Sequence, residues 1–492
     1  MARKWWTLVV VGAATFMLLL DVTIVVVALP DIQTALGASF SQLQWITDAY
    51  ALALAALLLT SGSLADRFGR RRVFSLGLIV FTLASLLCGV AQDPMMLIIS
   101  RALQGIGGAM LFATSLALLA ATFQGRDRGL AFGAWGAVTG VAVAVGPILG
   151  GVLTTGITWR AIFLVNLPIG IVALLITLRM VDESRAPHPR RIDWPGILSF
   201  TAGLVALVYG FTEAGQRGWT DGLVIGSFIT AAVLLAAFVV VELRVAEPML
   251  DLSLLRTPTF SGGLISAFAM NGSLFAMLLY LVLYLQNSLG YSAYESGLRL
   301  LLMSGVLMVV ATVAGWASHS MPLRWLIGPG LLLVGGGLFL MSGLDADASW
   351  THLIPGLFVA GIGAGLVNPP LAATAVGVVP VSQSGMASGI NNTLRQVGIA
   401  VGISVYGSLF STAVNSSMRD NPGGGQRAAF ADGMNLLFIT SGVVAVVGGV
   451  CALLLIRRRD FIAVHAASAP EPTAADDSAD ADTTLAADPI AR

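Results

Sequence analysis

The chain has 492 residues, of which 57% are hydrophobic and 11% charged, with a mean hydropathy of +0.87. An average soluble domain carries about 25% charged residues, so this composition cannot coat a soluble globule with polar surface. Lysine plus arginine balance aspartate plus glutamate at 26 each, which leaves no basic footprint for nucleic acid.

Fourteen apolar stretches follow in chain order, each long enough to cross a bilayer as a helix. They cover approximately 5–29, 43–65, 73–93, 95–122, 129–153, 161–181, 193–214, 222–244, 259–286, 297–317, 323–343, 352–377, 387–413 and 433–456. The first follows the basic "MARK", as a signal peptide would. It contains Asp21 and lacks a small-residue cleavage site, so it reads as a retained helix. With an even number of spans and both termini inside, 19 of the 26 basic residues fall in inside segments and five outside. The outside five are Arg160, Arg217, Arg299, Arg419 and Arg427, and Arg101 and Arg395 lie within spans. That asymmetry follows the accumulation of basic residues in cytoplasmic loops. The expected location is therefore a multi-pass position in the cytoplasmic membrane. Abundant arginine, alanine, glycine and valine hint at a bacterial source of high GC content.

The chain also repeats itself. "RGLAFG" (128–133) aligns with "SGMASG" (384–389), and "QGIGGAM" (104–110) with "AGIGAGL" (360–366), both at an offset of 256. Gly37, Ser39 and Gly62 align with Gly290, Ser292 and Gly315 at an offset of 253. The predicted fold is an all-α membrane protein of two parallel six-helix halves, 1–181 and 259–459. A linker and two inserted helices occupy 182–258, and 460–492 is an acidic tail that cannot bury a core. Paired six-helix halves around a central site are an architecture of secondary transporters.

Four stretches carry a family resemblance. "GSLADRFGRRR" (62–72), "RALQGIGGAM" (101–110), "GAVTGVAVAVGPILGG" (136–151) and "LDVTIVVVALP" (20–30) resemble the signatures of the major facilitator superfamily, and within it of the fourteen-span drug:proton antiporters. "WRAIFLVNLPIG" (159–170) is similar to the same group. The resemblance spans the chain except its tail. It implies that Gly62, Asp66, Arg67, Gly69 and Arg70 act as a conformational latch favouring the outward-open state. A plainer role for the arginines of this loop is to fix topology. Gly62 lacks a Cβ and allows close helix approach. The second half departs here, with His319 where Asp66 stands. The Gly-rich fifth span implies an antiport hinge at Gly140, Gly146, Pro147 and Gly150, where Pro147 removes a backbone hydrogen bond. Val26 stands where the family's first-helix motif commonly has Asn.

Charged side chains within spans are costly and so mark function. Asp21, Asp48 and Arg101 fall at similar depth in the outer part of the first six spans, the arrangement expected of proton carriers tuned by an arginine. A static buried ion pair is the competing reading. Glu213, near the outer end of the seventh span, is a lesser candidate. No carboxylate falls clearly inside the last six spans, which argues against a dicationic substrate. A large apolar cavity with few polar groups should hold the cargo, and Tyr50, Asn271, Phe275, Tyr280, Tyr284, Asn368, Asn392 and Arg395 are its candidates.

Cys88 and Cys451 lie far apart inside apolar runs, which suggests no disulfide framework. The four histidines (His188, His319, His352, His465) lack metal-ligand spacing. No Walker-type Gly-Lys loop and no nucleophile–base set are present. The sequence thus points away from an enzyme, a metal site, a cofactor or an ATP-driven pump. It points to a monomeric proton-coupled exporter of hydrophobic or cationic drugs or antibiotics, with protons, a small-molecule substrate and the bilayer as its partners. The alternatives are export of an endogenous metabolite or lipid, and transport of a non-drug solute.

Overall fold

A computed structural model describes residues 3–461 apart from 124, 186–192, 249, 319–320, 380–383 and 421–424. Fourteen long helical segments follow one another. They are α1 (Arg3–Leu36), α2 (Phe40–Phe68), α3 (Arg70–Gly89), α4 (Pro94–Thr122), α5 (Gly125–Gly156), α6 (Ala161–Met180) and α7 (Trp194–Arg217). Then come α8 (Gly222–Arg244), α9 (Pro258–Ser288), α10 (Ala293–Ala317), α11 (Arg324–Met341), α12 (Ile354–Gly377), α13 (Ser384–Asp420) and α14 (Gly425–Leu455). Among the described residues, thirteen of these are long and apolar enough to cross a membrane; α5 contributes the shorter apolar portion Val145–Gly156.

Local chemistry sets the breaks between helices. Ser39 and Gln42 form a reciprocal capping box at the start of α2. Asp93 caps α4 ahead of Pro94. Gly69 alone separates α2 from α3, at φ 114°, a conformation that glycine adopts without a Cβ penalty. Several helices outrun the apolar stretches that announced them, and the last, α14, starts at Gly425. The first continues through Pro30 to Leu36, and α13 continues to Asp420, because helical turns persist beyond the apolar core.

The packing pattern of α1–α6 recurs in α9–α14. In the first set α2 packs on α4, α3 on α4, α1 on α5 and α3 on α6. In the second α10 packs on α12, α11 on α12, α9 on α13 and α11 on α14. The two sets meet through α2 against α13 and α5 against α10, which exchange under the same repeat. Helices α7 and α8 pack on each other, with α7 set against α13 and α2. In lipid, helix association depends on close packing rather than on apolar burial. Accordingly, a Cβ at Gly337 would lie 2.6 Å from the Ala360 nitrogen, and one at Gly107 2.5 Å from the Phe81 nitrogen. Ile229, Val233 and Leu243 of α8 are exposed, as a lipid-facing helix requires.

Residues 182–185 strap the end of α6 to the start of α3, with the Arg70 backbone N–H donating to the Ser184 carbonyl at 2.9 Å. Asp460, placed by the sequence at the start of the tail, accepts hydrogen bonds from Thr259 Oγ1 at 2.5 Å and its backbone N–H at 3.2 Å. The tail beyond 461 lies outside the described residues, as does His319.

Candidate functional site

Asp21 on α1 and Arg101 on α4 are 0% and 1% exposed. Their side chains form a direct ion pair between Asp21 Oδ2 and Arg101 Nη1. Neutral amides complete the cluster. Gln104 Nε2 donates to Asp21 Oδ1 at 2.8 Å and to Ser85 Oγ at 2.7 Å, while Gln104 Oε1 accepts from Arg101 Nη1 at 2.6 Å. Asn166 of α6 reaches Asp21 Oδ1 at 3.4 Å and Ser85 at 3.3 Å. Arg101 Nε donates to the Ile46 carbonyl of α2 at 3.1 Å, and its guanidinium lies 4.3 Å from the Tyr50 ring. Helices α1, α2, α4 and α6 therefore meet at one buried charge pair, and these bonds offset the cost of burying it.

Helical periodicity decides how α2 divides its residues. Ile46 and Tyr50, four apart, share the face turned to Arg101. Gln44 and Asp48, also four apart, lie on the opposite face, because two residues span about 200°. The structure thus corrects the expectation that Asp48 joins Asp21 beside Arg101. Asp48 is fully buried and faces α13 of the other set, where Ser404 Oγ lies 3.0 Å from its Oδ2; its Oδ1 has no partner. Next to it, Gln44 Nε2 donates to Tyr280 Oη at 3.2 Å and to the Ile403 carbonyl at 3.1 Å. Tyr280 also donates to the Ile403 carbonyl. A Cβ at Gly407 would collide with the Gln44 amide, so α13 is glycine where α2 docks. These bonds join the two sets near the start of α2. Gln286 Nε2 to the Val27 carbonyl (2.8 Å) and the Tyr294 N–H to Thr155 Oγ1 (3.2 Å) join them at the same end.

Between the sets lies a small apolar cavity lined by Val22, Thr23, Val26 and Thr47 on one side and Phe275, Leu278, Leu279, Ile399 and Ile403 on the other. Of the expected cavity residues, Phe275 is on its wall. Tyr50 is not, because its face of α2 turns into the first set beneath Arg101. Tyr280 and Tyr284 are not, because the cavity takes the 275/278/279 face of α9. Tyr280 instead packs among Phe40, Tyr406 and Phe410, and Tyr284 against Phe430. Asn271 opens a π-helical turn and donates to the Ala267 carbonyl at 2.8 Å, and Asn392 donates to the Ser388 carbonyl at 3.0 Å. Asn368 Oδ1 accepts from Arg395 Nη2, so those two meet. Glu213 pairs with Arg217 at 2.7 Å at the C-terminal end of α7, away from the charge cluster.

At the junction of α2 and α3, Asp66 Oδ1 binds Arg70 Nη2 at 2.9 Å and Nε at 3.2 Å, within its own set. Arg70 Nη1 also reaches the Ala117 carbonyl at 3.5 Å, and the Arg67 guanidinium lies 5.7 Å from the Phe68 ring. Among the described residues no hydrogen bond or ion pair runs from Asp66 to the second set. A Cβ at Gly62 would meet nothing within 4 Å, which corrects the expectation of close helix approach there. Three residues before Gly62, Leu59 does meet the second set, because a Cβ at Gly389 of α13 would collide with its Cδ2, and Thr393 Oγ1 donates to the Ala55 carbonyl at 3.3 Å. In α5, a Cβ at Gly146 would collide with Thr23 and one at Gly150 would lie 2.9 Å from the Ile24 carbonyl. Pro147 offers its carbonyl to the space above Gly297 of α10, and a Cβ at Gly151 would lie 2.6 Å from Tyr294 Cα. The packing of Gly140 lies outside the described residues.

Gln44, Ser85, Gln104, Asn166 and Ser404 were missed in the sequence. Each was visible as a polar residue in an apolar span. Gln104 follows Arg101 by three positions and Gln44 precedes Asp48 by four, spacings that share a helix face.

The family model described as Major Facilitator Superfamily matches residues 11–403. The chain is 37% identical over 436 residues to the puromycin resistance protein pur8 of Streptomyces alboniger, covering 88% of this chain and 86% of that one. It is 35% identical over 464 residues to the multidrug resistance protein Stp of Mycobacterium tuberculosis, covering 93% and 86%. It is 35% identical over 421 residues to the tetracenomycin C resistance and export protein of Streptomyces glaucescens, covering 85% and 78%. Among solved structures, a bacterial homolog of the human lysosomal transporter Spinster, inward-facing and unoccupied, aligns with a TM-score of 0.66 at 17% identity over 94% of this chain and 98% of that one. That likeness is one of fold.

Proposed function

The chain belongs to the Major Facilitator Superfamily, and from that premise we propose that it is a proton-coupled exporter of hydrophobic or cationic drugs and antibiotics, built as a fourteen-span antiporter. Resistance and export proteins among its relatives support the cargo class. The observation that carries the coupling is the placement of two buried carboxylates on opposite sides of one helix. Asp21 binds Arg101, Arg101 binds the Ile46 carbonyl, and the far face of the same helical turn holds Gln44 and Asp48 against the second set.

Protonation of Asp21 removes the counter-charge of Arg101 and weakens its charge-assisted bonds. The Arg101–Ile46 contact passes that change to α2, and α2 carries the outer closure. Asp48 completes the cycle. Ser404 has one hydroxyl hydrogen and two acceptors in reach, Asp48 Oδ2 at 3.0 Å and the Ala400 carbonyl at 2.9 Å. A proton on Asp48 satisfies all three groups: Asp48 donates to Ser404, and Ser404 donates to Ala400. The outer-closed state then holds a protonated Asp48, and loss of that proton toward the cytoplasm leaves a bare buried carboxylate that favours outward opening, where water reaches it. Cargo entering from inside and protons entering from outside use the same two states in opposite directions.

This reading places the protein in the cytoplasmic membrane as a monomer with both termini inside, α1–α6 and α9–α14 as the moving halves and α7–α8 as an insertion. The loop at Gly62–Arg70 and the α5 hinge shift between states. Efflux from bacterial cells tests it with a panel of ethidium (cationic), chloramphenicol (neutral) and novobiocin (acidic). At least one compound is expelled by the wild type, and both a protonophore and Asp21→Asn abolish expulsion. Expulsion that survives both treatments, or no expulsion of any compound, refutes the proposal.

A further inference from the structure

Arg395 is the intramembrane charge left unexplained by this scheme. It lies on α13 well inside the span, half-buried. Nη2 donates to the neutral Asn368 Oδ1, and Nε has no hydrogen-bond partner. The Asn368 amide nitrogen is already committed to the Ala364 carbonyl at 3.0 Å. Arg395 forms no ion pair among the described residues. The acidic residues of 258–461 sit at helix ends and in loops, at Glu295, Asp345, Asp347, Asp420, Asp432 and Asp460. Arg101, by contrast, has its own carboxylate in Asp21. A guanidinium kept at membrane depth without a counter-charge is expensive, and such residues face a cavity or a partner.

Its helix face shows where the partner belongs. Ile399 and Ile403 of α13 line the central cavity. Arg395 precedes Ile399 by four residues and Ile403 by eight, so the three share one face, with Arg395 one turn closer to the cytoplasm. The opposite wall offers Val22 and Val26, and Phe275 adjoins the two isoleucines, a lining that suits an apolar body. An arginine with an unused Nε edge, fixed by a neutral amide, presents the planar donor fork that matches an oxyanion.

We propose that Arg395, steadied by Asn368, docks one acidic group, a carboxylate or an ionised acidic hydroxyl, of an otherwise apolar cargo. The site prefers monoanionic amphiphiles over neutral or cationic molecules of the same body, and so narrows the cargo proposed above to hydrophobic compounds that bear one acidic group. This rests on the exporter reading for its biological use, whereas the binding preference itself does not need proton coupling.

The test uses the full chain in lipid nanodiscs and three probes sharing one fluorophore: 1-pyrenebutyrate, 1-pyrenebutanol and 4-(1-pyrenyl)butyltrimethylammonium. Energy transfer from the protein's tryptophans reports binding, with empty nanodiscs as the blank for lipid partition. The wild type binds pyrenebutyrate at least tenfold more tightly than the other two. Arg395→Gln removes that preference while pyrenebutanol binding changes less than twofold, and Arg395→Lys keeps part of it. Equal binding of the three probes by the wild type, a preference for the cation, no binding of any probe, or an unchanged preference in Arg395→Gln overturns the proposal. The wild-type ranking stands as a test even if Arg395→Gln does not fold. Asp21→Asn separates the two readings, because it abolishes gradient-driven transport and leaves the probe ranking intact. Anion preference without gradient-driven transport sinks the exporter reading alone. Gradient-driven transport of ethidium without anion preference sinks the docking site alone.

Discussion

Replacing Gln44 by leucine deletes the two hydrogen bonds that its amide sends across to the second set, at 3.2 Å to Tyr280 and 3.1 Å to Ile403. Leucine is close to glutamine in size, and the Ile403 carbonyl keeps its bond from Tyr280, so no acceptor there is orphaned. Each lost bond is worth about 0.5–1.5 kcal/mol net. Together they weaken the outer closure by about 1–3 kcal/mol, a shift of about 5–150-fold toward the outward-open state. The readout is the separation of spin labels at Ala35, at the end of α1, and Met418, at the end of α13. Both sites are exposed. Cys451 is replaced by alanine, and Cys88 is buried from the label. Double electron–electron resonance on Gln44→Leu should show the long-distance population rising at the expense of the short one. An unchanged distance distribution would mean that the Gln44 clasp does not hold the outer side closed.

Asp21→Asn strands Arg101, 1% exposed, without a counter-charge. Removing one member of such a pair costs about 3–5 kcal/mol, so the thermal unfolding midpoint in detergent falls, and the double variant Asp21→Asn, Arg101→Gln recovers much of the loss. Gly151→Val puts a Cβ 2.6 Å from Tyr294 Cα and 2.7 Å from the Ala293 carbonyl. It should hold α5 off α10, raise the long-distance spin-label population and slow transport, with the opposite or no change counting against the closed outer interface. Gly105→Ala places a Cβ 2.5 Å from the Tyr50 carbonyl and 2.9 Å from Ala53 Cβ. Overpacking of that kind costs about 1–3 kcal/mol, visible as a lower unfolding midpoint, and an unshifted midpoint would show that α2 and α4 part easily.

The helices were legible because a bilayer demands long apolar runs, and every run in the sequence became a helix in the structure. Boundaries were less legible where helices outlast the apolar core, as at Pro30 to Leu36 and at the end of α13. The charge pair Asp21–Arg101 could be inferred from depth along each helix. Depth, however, says nothing of direction. Asp48 and Tyr50 sit at the right level on the wrong faces for the roles first given to them, and only the periodicity of α2 around Ile46 separates them. The tyrosines of α9 illustrate the same point. Their aromatic bodies suggested a binding surface, while the 275/278/279 face faces the cavity. The latch loop shows a third limit. Its sequence shows which groups can pair but not with which partner, and Asp66 pairs with Arg70 within its own set.

The central claim is exchange of cargo for protons through Asp21. Its most direct measurement uses purified protein in proteoliposomes that enclose a pH-sensitive dye and a compound expelled in the cellular assay. On dilution into compound-free buffer, cargo leaves down its gradient. The account predicts that protons enter in exchange and the lumen acidifies, and that Asp21→Asn abolishes both movements. Cargo efflux with no change in lumen pH, or acidification that persists in Asp21→Asn, contradicts it.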